Sequence, residues 1–220
     1  MTELDAPGVR LKERQIRQKE GRTMIGNVMF IAEAKPQSPS GWRSDRTWEE
    51  LVAIAAGCEY ADMLSIHTDA RWGGSMELVA RARSMTEKPI LAKGIHATDD
   101  LVAEAFGAGA HYVLVVGRVP AIKPELCLIE PHTVAELHEL PASTMAVWNS
   151  RDLRKLSQPD NRKSETFEQA RAAFAGWLCQ ASNLRTIADI KPGANAVLIG
   201  TKLSEFVESI KSIPHRHRLV

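Results

Sequence analysis

VMFIAEAKPQSPS, residues 28–40, is the stretch on which the fold turns. Four apolar residues read as a buried strand, which then carries Glu33 and Lys35 before a Ser-Pro-Ser turn. Side chains alternate along a strand, so residues two apart share a face. A charge on a buried face is costly unless it is paired or opens onto a polar cleft. Glu33 and Lys35 can each lower the other's cost, and together they mark a polar mouth at the end of a strand.

The same design recurs outward from this stretch. Short apolar runs follow in VMFIAEA, DMLSIHT, PILAKG, YVLVVG, LCLIE, MAVWNS, WLCQAS and AVLIG. Amphipathic segments separate several of them, among them TWEELVAIAA, SMELVARARSM, ATDDLVAEAFGAGA and SETFEQARAAFAG. Eight strands, most followed by a helix, predict an α/β fold of the (β/α)8 TIM barrel kind. An open doubly wound sheet is the alternative, but no G-x-G-x-x-G follows any strand. Between strands four and five lies only GRVPAIKPE, with two prolines. That link can span a strand, yet it predicts a shortened or missing fourth helix. TIADIKPG, after strand seven, is short as well. Residues 1–26 include the charged, helix-favouring RLKERQIRQKE and read as an N-terminal helical extension; residues 27–220 read as a single barrel domain.

In such barrels the active site gathers at the C-terminal ends of the strands. Polar residues stand there repeatedly: Lys93 after PILA, Glu130 after LCLI, Asn149 and Arg151 after MAVW, Ser182 after LCQA, and Gly200-Thr201 after AVLI. A single polar strand end is an ordinary loop entry, but six strands converging in the same way predict a site. The bland alternatives are a structural Glu33–Lys35 ion pair, a surface Lys93 and a helix-starting Glu130. Formal net charge is +1, which gives no reason to expect nucleic acid or an anionic membrane surface. No apolar run is long enough to cross a bilayer, and no signal peptide is recognisable. Cys58, Cys127 and Cys179 are widely spaced and read as reduced thiols of a cytoplasmic protein. The HRHR tail reads as solvated rather than metal-binding, so neither a metal nor a cofactor is expected.

From about residue 29 to residue 206 the chain resembles the indole-3-glycerol phosphate synthase family. AEAKPQSPS resembles that family's first-strand Glu-x-Lys and Ser-Pro-Ser, and HTDARWGGS its second loop. LAKGI resembles the third-strand motif around the catalytic lysine, LIEPH the fifth-strand Glu-x-His, WNSRDL the Asn-x-Arg-Asp-Leu motif and LIGTKL the last phosphate loop. The resemblance implies ring closure of a carboxyphenylamino-deoxyribulose phosphate with loss of carbon dioxide and water. It implies Lys93 as the general acid at the substrate carbonyl and Glu130 as the base or proton relay. Lys35 would hold the anthranilate carboxylate or assist dehydration, with Glu33 orienting it. Asn149 and Arg151 would position the substrate, Trp72 or Trp42 would stack on its ring, and Ser38, Ser182, Asn183, Gly200 and Thr201 would take its phosphate.

The chain departs from the family's pattern in places. Gly94 and Ile95 follow Lys93 where the family has an acidic residue and an aromatic, and Ala181-Ser182-Asn183 stands where it has Glu-Ser-Gly. Two further function classes therefore stay open: a divergent enzyme on a related amino-ketose phosphate in specialised metabolism, and a silent barrel that binds a partner enzyme. The short link after strand four also predicts uncovered apolar faces, with Leu114, Val116 and Leu128 or their neighbours pointing outward. Either the link folds over them or a second chain does, and the shortness of the link favours a homodimer.

Overall fold

The computed structural model describes residues 28–39, 41–156, 158 and 161–212. The proposed N-terminal helix and the HRHR tail lie outside the described residues. Eight parallel strands close into a barrel in sequence order. They are β1 Met29–Ala34, β2 Met63–His67, β3 Ile90–Lys93, β4 Tyr112–Val116, β5 Cys127–Glu130, β6 Met145–Asn149, β7 Trp177–Ala181 and β8 Ala196–Ile199. Each of the eight predicted runs supplies one strand. Six α-helices are found among the described residues. They are α1 Trp48–Gly57, α2 Met76–Met85, α3 Asp99–Gly107, α4 Val134–His138, α5 Phe167–Ala173 and α6 Leu203–Lys211. None of them is long and apolar enough to cross a membrane.

The helices start where the sequence supplies a cap. Thr47, Ser75, Thr98, Thr133 and Thr166 each accept a backbone N–H of the first turn of α1 to α5. Thr47 and Thr166 complete reciprocal capping boxes with Glu50 and Gln169. Lys202 precedes α6 without a side-chain cap, and the Leu203 amide that opens the helix donates to the Gly200 carbonyl at 2.9 Å.

Alternation divides the strands into two apolar layers. Met29, Ile31, Met63, Leu91, Leu114, Leu128, Val147, Cys179 and Leu198 fill the barrel interior. Phe30, Ala32, Leu64, Ile66, Val113, Val115, Cys127, Ile129 and Val197 face the helices. Of the two facings left open for strands four and five, the second holds: Leu114, Val116 and Leu128 point inward, and their neighbours Val113, Val115, Cys127 and Ile129 point outward.

No α-helix covers those neighbours, as the short link predicted; a single 3-10 turn, Pro124–Leu126, replaces it. All four are nonetheless buried. Ile122 of the link packs against this layer, as do Phe106 and Leu140. The Cys127 thiol donates to the carbonyl of Lys123 at 3.4 Å. The link folds over the gap, so Val113, Val115, Cys127 and Ile129 are covered within the chain itself. The connection from β7 to β8 is equally spare, with a 3-10 turn at Ile187–Asp189. Gln180 holds that turn by donating to the Asp189 carbonyl and accepting from the Lys191 amide, both at 2.9 Å.

If the link is the lid of the outer layer, Ile122→Asp will lower the unfolding free energy by about 1–3 kcal/mol, because it sets a carboxylate in a half-buried apolar contact. Val119→Glu, on the same link but 49 % exposed, will change it by less than about 0.5 kcal/mol. Urea unfolding of both variants reads the difference.

Candidate active site

The interior strands end in polar side chains at one end of the barrel. Glu33, His67, Lys93, Glu130 and Asn149 are the inward residues at the ends of β1, β2, β3, β5 and β6. Register fixes their neighbours: His67 pairs with Lys93, Val116 with Glu130, and Asn149 with Ala181.

Glu33 is 4 % exposed and sits at the centre of the cluster. Its Oε1 receives the Lys93 ammonium at 2.6 Å. The same oxygen lies 3.0 Å from His67 Nε2. Burial pushes the Glu33 pKa up, but Lys93, His67 and Lys35 together outweigh it and hold the carboxylate well below its ordinary range. Its Oε2 lies against the backbone of β8, where a Cβ on Gly200 would overlap it. Glu33 therefore pairs with Lys93 across β2, and not with Lys35 as the sequence suggested.

Lys35 follows the end of β1, is 8 % exposed, and makes no ion pair or hydrogen bond among the described residues. Burial pushes its pKa down from 10.5 to about 8; Glu33 pulls it up, and Lys93 and Arg151 push it down again. Across the mouth, Glu130 is 2 % exposed and accepts from Asn149 Nδ2 at 2.9 Å. Asn149 Oδ1 in turn accepts the Arg151 amide at 3.0 Å, which fixes the orientation of the carboxamide. Glu130 Oε2 is buried with no hydrogen-bond partner among the described residues. Burial raises the Glu130 pKa against the opposing pull of Lys93, Lys163 and Asn149. One carboxyl of the site is thus held ionised and the other is biased toward keeping its proton, an arrangement suited to separate acid and base duties.

Two adjoining recesses open from this floor. The first, of about 560 Å³, has Lys35, Lys93, Glu130, Asn149 and Arg151 on its polar side and Ile95, Leu114, Val116, Leu153 and Leu156 on its apolar side. The second, of about 640 Å³, is lined by Lys35, Arg151, Arg185 and Lys202 together with Ser182, Asn183, Gly200 and Thr201. Ser182 and Asn183 both adopt left-handed backbone, at φ 68° and 58°. Asn183 Nδ2 donates to Ser150 Oγ at 2.8 Å, which ties this turn to the end of β6.

Eleven of the twelve candidate residues therefore line one mouth. Ser38 is the exception: it is buried in the turn after β1, outside the lining of both recesses. Trp42 is also outside, half-buried on the same turn. Trp72 lines the first recess, but its ring already stacks on His67, with centroids 5.5 Å apart and planes 3° apart, and carries the Arg71 guanidinium at 5.1 Å. Most of its surface is taken by the protein itself. The reading from sequence missed His67, Arg185 and Lys202. His67 was legible from the parity of DMLSIHT, where every second residue faces inward; the two cations sit on loops, where no periodicity applies. Gly94 also gains a reason. A Cβ there would overlap Thr68 Oγ1, which lies 3.0 Å from His96 Nε2 in a hydrogen bond beneath the loop.

The chain is similar over most of its length to proteins of known family. Residues 9–214 match the family model described as indole-3-glycerol phosphate synthase. The indole-3-glycerol phosphate synthase of Sulfurisphaera tokodaii is 26 % identical, covering 87 % of this chain and 85 % of its own. Indole-3-glycerol phosphate synthase 2 of Streptomyces coelicolor is 31 % identical, covering 80 % of this chain and 75 % of its own. Among solved structures, a 3-hexulose-6-phosphate synthase superposes with a TM-score of 0.61 at 16 % identity, covering 84 % of this chain and 99 % of that one. That likeness speaks for the barrel alone.

The Lys35 environment is directly measurable. Nitrogen-15 NMR of its ammonium will show a midpoint near pH 8. Glu33→Gln will lower that midpoint, because the carboxylate raises the Lys35 pKa and its removal leaves the repulsion of Lys93 and Arg151 unopposed. An unchanged midpoint would show that Lys35 does not sense Glu33.

Proposed function

The chain belongs to the indole-3-glycerol phosphate synthase family, and we propose that it performs that family's lyase reaction. A carboxyphenylamino-deoxyribulose phosphate closes its pyrrole ring, loses its carboxylate as carbon dioxide and then loses water. The observation that carries this reading is the pairing of a cation-rich recess with an apolar one around a single lysine–carboxylate floor. A substrate with a phosphate at one end and an aryl carboxylate at the other needs both.

In this reading the phosphate lies over the turn of Ser182 and Asn183 and the backbone amides of Gly200 and Thr201 before α6. Helix N-termini and consecutive backbone amides favour anions there. The aryl ring enters the aliphatic wall of Ile95, Leu114, Val116, Leu153 and Leu156, with Trp72 at its edge. Lys35 and Arg151, neither of them in an ion pair among the described residues, neutralise the carboxylate. Lys93 reaches the carbonyl oxygen and delivers the proton that makes the carbon electrophilic, while Glu33 holds its ammonium in place. Glu130, oriented by Asn149, takes the carbon-bound proton removed as water leaves and the new pyrrole ring becomes aromatic. When carbon dioxide leaves, the electron pair of its carbon–carbon bond stays behind and restores the benzene ring, so the residues need only bind, polarise and move protons.

A second reading is favoured by one observation. Ala181, at the inward end of β7, places no titratable group on that side of the mouth. An enzyme using a related amino-ketose phosphate with fewer proton transfers would need none there. Incubation with the carboxyphenylamino-deoxyribulose phosphate, followed by indole fluorescence, separates the two: product formation supports the first reading, and phosphate-dependent binding without product supports the second.

Two outcomes follow for variants. Lys93→Ala will lower kcat by about 10²–10⁴ and leave ligand binding measurable; a variant retaining a tenth of the activity would remove Lys93 from the acid role. Inorganic phosphate will compete with substrate, and Gly200→Ala will abolish that competition, because its Cβ displaces Glu33 and the loop beside it. Equal competition in both proteins would place the phosphate elsewhere.

A further inference from the structure

His67 is the one member of the central cluster to which the proposed reaction assigns no task. It ends β2, between the strands that carry Glu33 and Lys93, and is 3 % exposed. Its ring lines the first recess and lies flat on Trp72. Its Nε2 is 3.0 Å from Glu33 Oε1, the oxygen that also holds Lys93 Nζ at 2.6 Å. The approach is off the hydrogen-bond axis, so it acts as a short electrostatic contact and not as a directed bond.

We infer that His67 is a positioning residue: its Nε2–H, braced by the stack on Trp72, fixes the Glu33 carboxylate and through it the Lys93 ammonium.

The inference rests on the proposed role of Lys93. The tautomer follows from the distance. A bare nitrogen lone pair 3.0 Å from an ionised carboxylate oxygen would repel it, so Nε2 carries the hydrogen. Nδ1 is then the bare acceptor, buried and without a hydrogen-bond partner among the described residues. The charged groups around the ring are Glu33 from β1, Lys35 beyond it, Lys93 from β3 and Asp69 on the loop that follows His67. Burial pushes the imidazole pKa down, and Glu33 only partly offsets this. The ring stays neutral at neutral pH and sets its N–H dipole against Glu33 without adding a third cation beside Lys35 and Lys93.

The geometry explains why a second contact is needed. Glu33 and Lys93 stand on strands that are not neighbours, roughly 10 Å apart at the backbone, and they meet only by extending toward the barrel axis. An extended carboxylate with one partner can swing about its last torsion. Oε2 is limited on one side by Gly200 and Oε1 on the other by His67, so the carboxylate has a single seat.

The test separates the ring from its hydrogen. His67→Phe keeps a flat ring against Trp72 and removes the N–H; His67→Gln removes the ring and keeps an N–H of similar reach. In the indole-forming assay, His67→Phe will lose about 10- to 100-fold in kcat, as displaced catalytic groups do, with KM within about twofold. His67→Gln will recover most of that loss. A phenylalanine variant as active as the parent, equal losses in both variants, or a loss confined to KM would each overturn the inference. Long-range proton–nitrogen NMR of the unmodified protein provides an arm that needs no substrate. It will show His67 as the neutral Nε2–H tautomer at pH 7, and an Nδ1–H tautomer or an imidazolium would overturn the inference. Should His67→Phe not fold, the tautomer decides alone. Failure of the parent protein to form indole product counts against the proposed function and leaves the tautomer result standing.

Discussion

The buried ion pair between Glu33 and Lys93 is the constraint around which the mouth of this barrel is arranged. An ionised carboxylate removed from water carries a penalty of several kcal/mol, and Glu33 is almost wholly enclosed. It stays charged because the Lys93 ammonium donates to Oε1, His67 Nε2 lies against the same oxygen and a second cation, Lys35, is nearby. Convergence requires closure. Only when β1, β2 and β3 curve toward a common axis do side chains on the first and third strands meet over the second. The absence of a Cβ at Gly200 belongs to the same constraint, since β8 closes against β1 where Glu33 Oε2 sits.

Around that pair the charges are distributed unequally. Glu33 is neutralised by a direct contact, whereas Lys35 and Arg151 have no ion-pair partner among the described residues and face the recesses. Lys35 carries a burial penalty large enough to bring its pKa to about 8, and a bound anion would relieve it. Glu130 is the opposite case, a carboxyl whose environment favours the protonated form and whose second oxygen lacks a partner. Polar groups left in this condition at the mouth of a barrel are a common mark of a site that completes itself with a ligand.

The barrel reaches this arrangement with less cover than its strand count suggests. Two of the crossovers lack an α-helix, and each is closed by specific contacts: Ile122 and the Cys127 thiol after β4, and Gln180 against the turn after β7. The outward residues of β4 and β5 are as buried as those beneath a helix. Leaving out a helix therefore costs little here, because the outer layer needs apolar contact and satisfied backbone groups, and a folded link can provide both.

The sequence by itself determined the strands, their order, most of the helix starts and the end of the barrel where polar groups gather. These are local properties: alternation, apolar run length, Ser or Thr caps and chain breaks are all written within a few residues. It also showed that Glu33 and Lys35 share a face and that Lys93, Glu130 and Asn149 end their strands. Only the tertiary structure decided which charges touch. Glu33 and Lys35 are two residues apart, and proximity along the chain suggested a pair; barrel curvature instead brought Glu33 to Lys93, sixty residues away. The same curvature set Leu114, Val116 and Leu128 inward, which the pattern of YVLVVG and LCLIE left undecided because both faces of those strands are apolar. His67 shows the division most clearly. Its place on the inward face was readable from DMLSIHT, but its contact with Glu33 exists only because closure sets β2 between β1 and β3.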